Sequence, residues 1–253
     1  MNSLMIKMCR IGFIIALTGT LLLAGCTRTE QTEKPDDDRK TVIGFSMATL
    51  KEDRWLQDRD IFIAKAKQED FDVIVKNANN DSQLQVEQVQ EMIESGIDIL
   101  VIAPHDSEDA ARCVSMAKKA GIPVVSYDRL VRNANVDAYV SFDNIKVGRL
   151  AAESLTKAVS KGGYIILGGS ENDNNSKMFY AGYMSVLSTP ENRKNIEIIA
   201  ETWVEDWRRE GAFEFVSRIL KNDPDSVQGI VAANDSLAWG AIDAISMAQL
   251  TGK

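Results

Sequence analysis

A single histidine and three cysteines in 253 residues leave little room for metal or thiol chemistry. His105 has no Cys or His at metal-ligand spacing, so it reads as a solvated loop residue ahead of a ligand or base. Cys9, Cys26 and Cys113 are too few and too scattered for a disulfide framework. No GxGxxG or Walker sequence follows any strand signal, and Ser170 in its GGSEN setting lacks a nucleophile elbow and an obvious base. The chain is therefore expected to be no enzyme and to carry neither metal nor cofactor. Basic residues are also short: 29 Lys and Arg face 37 Asp and Glu, a formal net charge of -8. Nothing clusters as binding to a nucleic-acid backbone requires, so nucleic acid is excluded as a partner. The apolar run from Ile11 to Leu23 falls short of the roughly 20 residues that span a bilayer.

What is present is ordinary for a soluble globular protein, with 45% hydrophobic and 26% charged residues. Lys7 and Arg10, the apolar run and the small residues Ala24 and Gly25 give residues 1–25 the layout of a secretory signal peptide, with a permanent membrane helix as the alternative. The sequence LLLAGC resembles a bacterial lipoprotein signal, which implies that Cys26 becomes the lipid-modified first residue of the mature chain. Residues 26–41, mostly polar and charged without periodicity, read as a flexible tether. The folded part is expected to stand off the outward face of a bacterial membrane, on its periplasmic or extracellular side.

From Val42 strand and helix signals alternate. Strand-like runs cover Val42 to Met47, Asp72 to Lys76, Ile97 to Ala103 and Val124 to Tyr127, with helical stretches at Trp55 to Glu69, Gln83 to Glu94 and Asp109 to Ala120. A further short run spans Tyr139 to Phe142. The alternation resumes with a helix to about Ser160 and strands at Tyr164 to Leu167, Ile196 to Thr202 and Gly229 to Ala232. Helices at Lys177 to Leu187, Trp207 to Leu220 and Leu237 to Gln249 separate and follow them. This βαβ grammar predicts two similar α/β lobes with doubly wound parallel sheets, residues 42–143 and 144–253.

Ligands of such sheets bind beyond the carboxyl ends of the strands. Asp128 and Arg129 end the buried run Val124 to Tyr127, and both are costly to desolvate unless they pair or meet a polar ligand, so they are taken as site residues. Asp143 and Asn144 hold the same position after the next run, where helix capping and ligand contact explain them equally well. Other strand ends carry Asn77 and Asn79, Pro104 to Asp106, Gly169 to Asn175, Trp203 with Trp207, and Asn234 with Asp235. Amides, carboxylates, arginines and indoles suit a polyhydroxylated ligand, because they exchange hydrogen bonds with hydroxyls and offer flat apolar faces to C–H groups.

Six motifs in order, DRWLQDRD, VSYDRL, YVSFDNIKVG, GGSENDNNSK, WVEDW and VAANDSLAWGAI, resemble the D-xylose-binding proteins of bacterial ABC transporters, in the ribose-type periplasmic sugar-binding family. The resemblance covers nearly everything after residue 41. It implies a type I periplasmic binding fold with a sugar cleft between the lobes. It further implies that Arg54 and Trp55 meet the sugar, with Trp55 and Trp207 stacking on opposite faces, although each indole on its own reads equally well as core packing. Asp128, Asp173, Asn175 and Asn234 would bond the hydroxyls, and Arg129 matches the family's YDR. The chain departs from the family at Ala48 and Thr49, where relatives are acidic, and at Tyr180, where they have Arg. It stops at Thr251 to Lys253, resembling the family's helix end before a further strand. The second lobe is accordingly expected to be incomplete, and sugar binding weaker than in full-length relatives.

The implied function is a lipoprotein that captures D-xylose or a similar monosaccharide and delivers it to an ABC permease and ATPase. A sugar-sensing subunit that signals to a histidine kinase or chemoreceptor is the alternative. A transcriptional regulator on the same fold would need a DNA-binding segment where the signal peptide stands. Lipidation supplies roughly 0.8 kcal/mol per buried methylene and anchors stably only with more than one chain. Cys26→Ser is therefore expected to leave the protein soluble or unprocessed when cells are fractionated; a variant processed and membrane-bound like the parent would contradict the anchor.

Overall fold

A computed structural model describes residues 39–252. The signal peptide, Cys26 and all but the end of the tether lie outside the described residues. The elements run β1 (Val42–Met47), α1 (Asp53–Gln68), β2 (Asp72–Asn77), α2 (Ser82–Glu94), β3 (Ile99–Ala103), α3 (Ala111–Lys119), β4 (Val124–Tyr127) and β5 (Ala138–Val140). They continue through α4 (Asn144–Ala158), β6 (Gly162–Gly168), α5 (Asn174–Leu187), β7 (Ile196–Trp203), α6 (Arg209–Asn222), β8 (Val227–Ala232) and α7 (Asp235–Met247).

Five strands form one parallel sheet in the order β2-β1-β3-β4-β5, and three form a second in the order β7-β6-β8. The sequence pattern explains why both faces of each sheet are covered. Alternate side chains leave a strand on opposite faces, and here both sets are apolar. In the first sheet Ile43, Phe45 and Met47 join Val101, Ala103 and Trp55 of α1 on one face. Leu100, Ile102 and Val124 face the other way, into Val89 and Met92 of α2 and Cys113, Val114 and Ala117 of α3. In the second sheet Ile165 and Leu167 pack on Val216 of α6 and Leu237 of α7, while Tyr164 and Ile166 pack on Ala152 of α4 and Tyr183 of α5. Each fully buried Leu or Ile among these contributes about 1.5–3 kcal/mol.

Helix starts are set by side chains. Asp81 accepts from the backbone N–H groups of Gln83 and Leu84, Asp143 from Lys146, Asp173 from Asn175 and Asn234 from Leu237, at 2.9–3.0 Å. A cap of this kind is worth about 1 kcal/mol. Glu52 and Arg208, at the corresponding positions of α1 and α6, make no such bond. Several expected boundaries move by one to three residues, two of them beside the site. The strand expected at Tyr139 to Phe142 is Ala138–Val140, and the helix expected to open at Trp207 opens at Arg209. Asp206 and Trp207 both adopt φ of 56°, which breaks the helix and leaves them in a short 3-10 turn.

Among the described residues β8 pairs with β6 alone. Along its other edge α4 and α7 border an apolar hollow of about 950 Å³. Ile145 and Leu150 of α4, Ile242 of α7 and Phe142 just before α4 stand exposed. No helix among the described residues is long and apolar enough to cross a membrane.

Helices α4 and α5 cross closely at Gly182, where a Cβ would lie 2.6 Å from the Arg149 nitrogen and closer still to the Ile145 carbonyl. Overpacking of this kind costs roughly 1–3 kcal/mol. Gly182→Ala is expected to lower the unfolding free energy in urea by that amount with the m-value unchanged; an unaltered midpoint would show that the helices separate freely.

Candidate functional site

The order of the first sheet reverses at β1 and that of the second at β6, and the loops and helix starts after these two strands carry Glu52 to Trp55 and Gly169 to Asn175. Ligand crevices form at such switch points. Between the strand ends lies a cavity of about 530 Å³. That is within the roughly 300–1,000 Å³ usual for small-molecule sites. Its wall includes all eight residues proposed from the sequence: Arg54, Trp55, Asp128, Arg129, Asp173, Asn175, Trp207 and Asn234. The larger hollow beside β8 holds none of them.

Asp128 is the most constrained of these. Its φ is 59°, and the Arg129 N–H donates to the Tyr127 carbonyl across it at 2.6 Å, the strained form of a γ-turn. Such a residue persists only when its surroundings over-determine it. Here the Asp128 N–H donates to the Val140 carbonyl, and its own carbonyl accepts from Ser141 Oγ at 2.6 Å, Asn175 Nδ2 at 3.2 Å and Tyr139 OH at 3.3 Å. Its carboxylate takes the Arg54 guanidinium on one oxygen and Asn175 Nδ2 on the other. Asn175 in turn accepts from Asn144 Nδ2 at 3.0 Å.

Arg129 reaches from the first lobe to the second. Its Nε lies 2.8 Å from Asp173 Oδ2, with the two side chains 7% and 1% exposed, and its Nη1 donates to the Pro104 carbonyl at 3.3 Å. Burial pushes the Asp173 carboxyl up from its ordinary range, against the opposing pull of Arg129, the Asn175 N–H and the Trp207 indole. Trp55 is packed beneath guanidinium groups, with Arg54 4.6 Å and Arg129 5.2 Å from its ring centroid. Trp207 leans edge-on toward Phe179 at 6.4 Å and lies against Gly169, where any Cβ would collide with its ring. The Asp206 N–H that precedes it donates to Ser170 Oγ at 2.7 Å, a role for Ser170 in shaping the turn.

The wall also contains residues the sequence did not single out, among them Glu52, Phe142, Val147, Phe179 and Trp239. Asp143 caps α4, and Asn144, the first residue of that helix, lines the cavity. Trp203 does not reach the cavity; its ring lies 5.3 Å from that of Tyr180, whose hydroxyl donates to Glu201. Asn77 and Asn79 bond each other outside it. His105, expected as solvated, is half-buried instead, and burial lowers its pKa. Its loop is drawn inward because the backbone N–H donates to the buried Gln85 side chain. Ala48 and Thr49, where the resemblance implies acids, are buried at the start of the loop between β1 and α1.

Glu52 carries a pH signature. Burial raises its pKa above the ordinary 4.5, only partly offset by Arg129, Arg54 and the Asn234 amide. A raised carboxyl pKa means the folded state holds the proton more tightly, so the stabilisation is complete below about the unfolded value and is lost as pH rises through the folded one. Glu52→Gln is therefore expected to melt above the parent at pH 7, with the difference closing below pH 4.5; parallel melting curves at all pH values would contradict the assignment.

The chain matches a periplasmic binding protein domain over residues 43–253. It is 41% identical to the D-xylose-binding periplasmic protein of Haemophilus influenzae over 233 residues, 92% of this chain and 70% of that protein. Among solved structures it resembles an ABC transporter solute binding protein of Clostridium phytofermentans with bound β-D-glucose, at TM-score 0.76 and 30% identity, over 82% of this chain and 69% of that one. A fructose binding periplasmic domain of a hybrid two-component system aligns at TM-score 0.75 and 25% identity, over 83% and 68%. With parallel α/β lobes facing each other across a polar, indole-lined cavity, and a family match over most of its length, this chain belongs to the ribose-type family of periplasmic binding proteins.

Proposed function

We propose that this protein captures a neutral monosaccharide, with D-xylose favoured, and hands it to the permease and ATPase of an ABC importer. The observation that carries this reading is the convergence of eight polar and aromatic residues from both lobes on one cavity of monosaccharide scale. In this reading residues 42–143 and 144–253 are the two sugar-binding lobes. Residues 26–41 tether them to a lipid on Cys26 at the outward face of the membrane.

Each group has a chemical task. Asp128 and Asp173 accept from sugar hydroxyls, and Asn175 and Asn234 both donate and accept. Arg54 and Arg129 donate in a fixed fork while orienting the two aspartates. Trp55 and Trp207 offer apolar faces to the C–H sides of the ring. The name of the Haemophilus relative supports xylose; the glucose bound by the Clostridium protein supports the wider class of neutral aldoses. A sensory role, in which the loaded protein docks on a histidine kinase or chemoreceptor, is supported by the similarity to the domain of a two-component system. The importer reading is preferred because the Clostridium protein, at 30% identity, is an ABC transporter solute binding protein, against 25% for the two-component domain.

Calorimetric titration of the chain against pentoses and hexoses tests the proposal, with xylose expected to bind best and to change the tryptophan fluorescence. Removing a central indole from a binding site commonly costs about 2 kcal/mol or more, roughly thirtyfold in affinity. Trp207→Ala is expected to lose at least that much; xylose bound as tightly as by the parent would place the site elsewhere.

A further inference from the structure

Glu52 is one of three carboxylates on the cavity wall that form no ion pair among the described residues, and of the three it alone bonds across the cleft. Asp128 is paired with Arg54 and Asp173 with Arg129, and among the described residues Glu52 forms no ion pair. It precedes α1 at the capping position, yet its side chain caps nothing there. It reaches across the cleft instead, where its Oε2 accepts from Asn234 Nδ2 of the opposite lobe at 3.4 Å. Around it on the cavity wall stand Lys51, Asp53 and Arg54 of its own loop and helix, Arg129 after β4, Asp173 at the start of α5, and Asp235 beside Asn234.

We infer that Glu52 is a specificity-determining residue of the cleft, clasping a hydroxyl of a neutral sugar together with Asn234 and turning away sugars that carry a carboxylate. This rests on the sugar-binding reading above. The need for such a residue follows from the arginines: a cleft with two guanidinium groups would attract a uronic acid, whose carboxylate matches the guanidinium fork. Asp128 and Asp173 cancel that attraction without reversing it. Counting the wall's charged residues, five carboxylates (Glu52, Asp53, Asp128, Asp173, Asp235) face three cations (Lys51, Arg54, Arg129), and of the three unpaired carboxylates only Glu52 bonds across the cleft. In a confined, partly dried site a like charge is felt far more strongly than in water. A neutral sugar meets no such repulsion, and its hydroxyl gains a charged acceptor.

The test compares the full chain with its Glu52→Gln and Glu52→Asp variants by calorimetric titration with D-xylose and with D-glucuronate at pH 7, where the glucuronate carboxylate is ionised. The parent is expected to bind xylose and to reject glucuronate. Glu52→Gln should bind xylose about tenfold more weakly, the usual order for loss of a charged hydrogen-bond partner. Its preference for xylose over glucuronate should narrow by at least tenfold. Glu52→Asp keeps the charge on a shorter arm, so it should weaken xylose binding while still rejecting glucuronate. A Glu52→Gln protein that melts cooperatively, binds xylose and keeps the parent's preference would overturn the inference and leave the sugar reading intact. A parent that binds no sugar at all would overturn the sugar reading first, and this inference with it.

Discussion

The ion pair between Arg129 and Asp173 is the constraint on which the rest of the cleft depends. Both groups are almost wholly removed from water, and they come from strand ends of different sheets. An isolated buried charge is costly, and breaking a buried pair by removing one partner typically destabilises by about 3–5 kcal/mol. Neither residue is tolerable in its place without the other, so the pair fixes how the loop after β4 sits against the start of α5. The same contact brings Asn175 within reach of Asp128 and sets Trp55 beneath two guanidinium planes. Replacing such a pair with apolar residues is often neutral or stabilising in general, so stability alone is a weak reason to keep it. Its value here lies in geometry: it holds oriented donors and acceptors around a cavity.

Backbone strain is also found there. Asp128, Asp206 and Trp207 all sit at positive φ, a conformation that disfavours side chains and costs of order 1–3 kcal/mol at each. The compensations are local. Three donors converge on the Asp128 carbonyl, and the Ser170 hydroxyl holds the Asp206 N–H. Gly169 supplies the bare backbone against which the Trp207 ring lies. Side chains held by packing and by a further layer of hydrogen bonds are what a precise recognition site requires.

Much of this was legible in the sequence because strand ends are legible. A β-branched run that stops at Asp and Arg locates a carboxyl end, and a parallel sheet directs the residues beyond that end into the crevice. The division between capping and binding was not legible, because the same residues perform both. Asp173 caps α5 with Oδ1 and meets Arg129 with Oδ2; Asn234 caps α7 with Oδ1 and reaches Glu52 with its amide. Residue type alone cannot separate two roles that use different atoms of one side chain. Glu52 carries no sequence signal of its own, because it stands at the capping position of α1, and only the three-dimensional structure reveals that its side chain caps nothing. Trp203 and Trp207 carry the same residue type four positions apart, yet the left-handed turn at Asp206 and Trp207 sends one to Tyr180 and the other to the cavity. His105 was misjudged because the buried Gln85 amide, twenty residues away, draws its loop inward.

The contacts that join the lobes at the cleft are themselves polar. Besides the Arg129–Asp173 pair and the Asn175–Asp128 and Asn234–Glu52 bonds, the Ser107 N–H donates to the Asn172 carbonyl at 3.0 Å and Ser107 Oγ accepts from the Asn174 N–H at 2.9 Å. Water can replace most of these bonds when lobes part, so their net contribution is only about 0.5–1.5 kcal/mol each, whereas an apolar interface would lose about 25 cal/mol for every Å² exposed. A polar seam therefore sets a shallow preference for contact between the lobes. A ligand that supplies several hydroxyls to both rims at once adds bonds that neither rim makes alone, and its differential affinity for the joined arrangement shifts the balance. The buried ion pair is the exception, since its two charges are costly apart and tolerable together. It gives the seam a single register, and the hydroxyl-binding groups around it inherit that register.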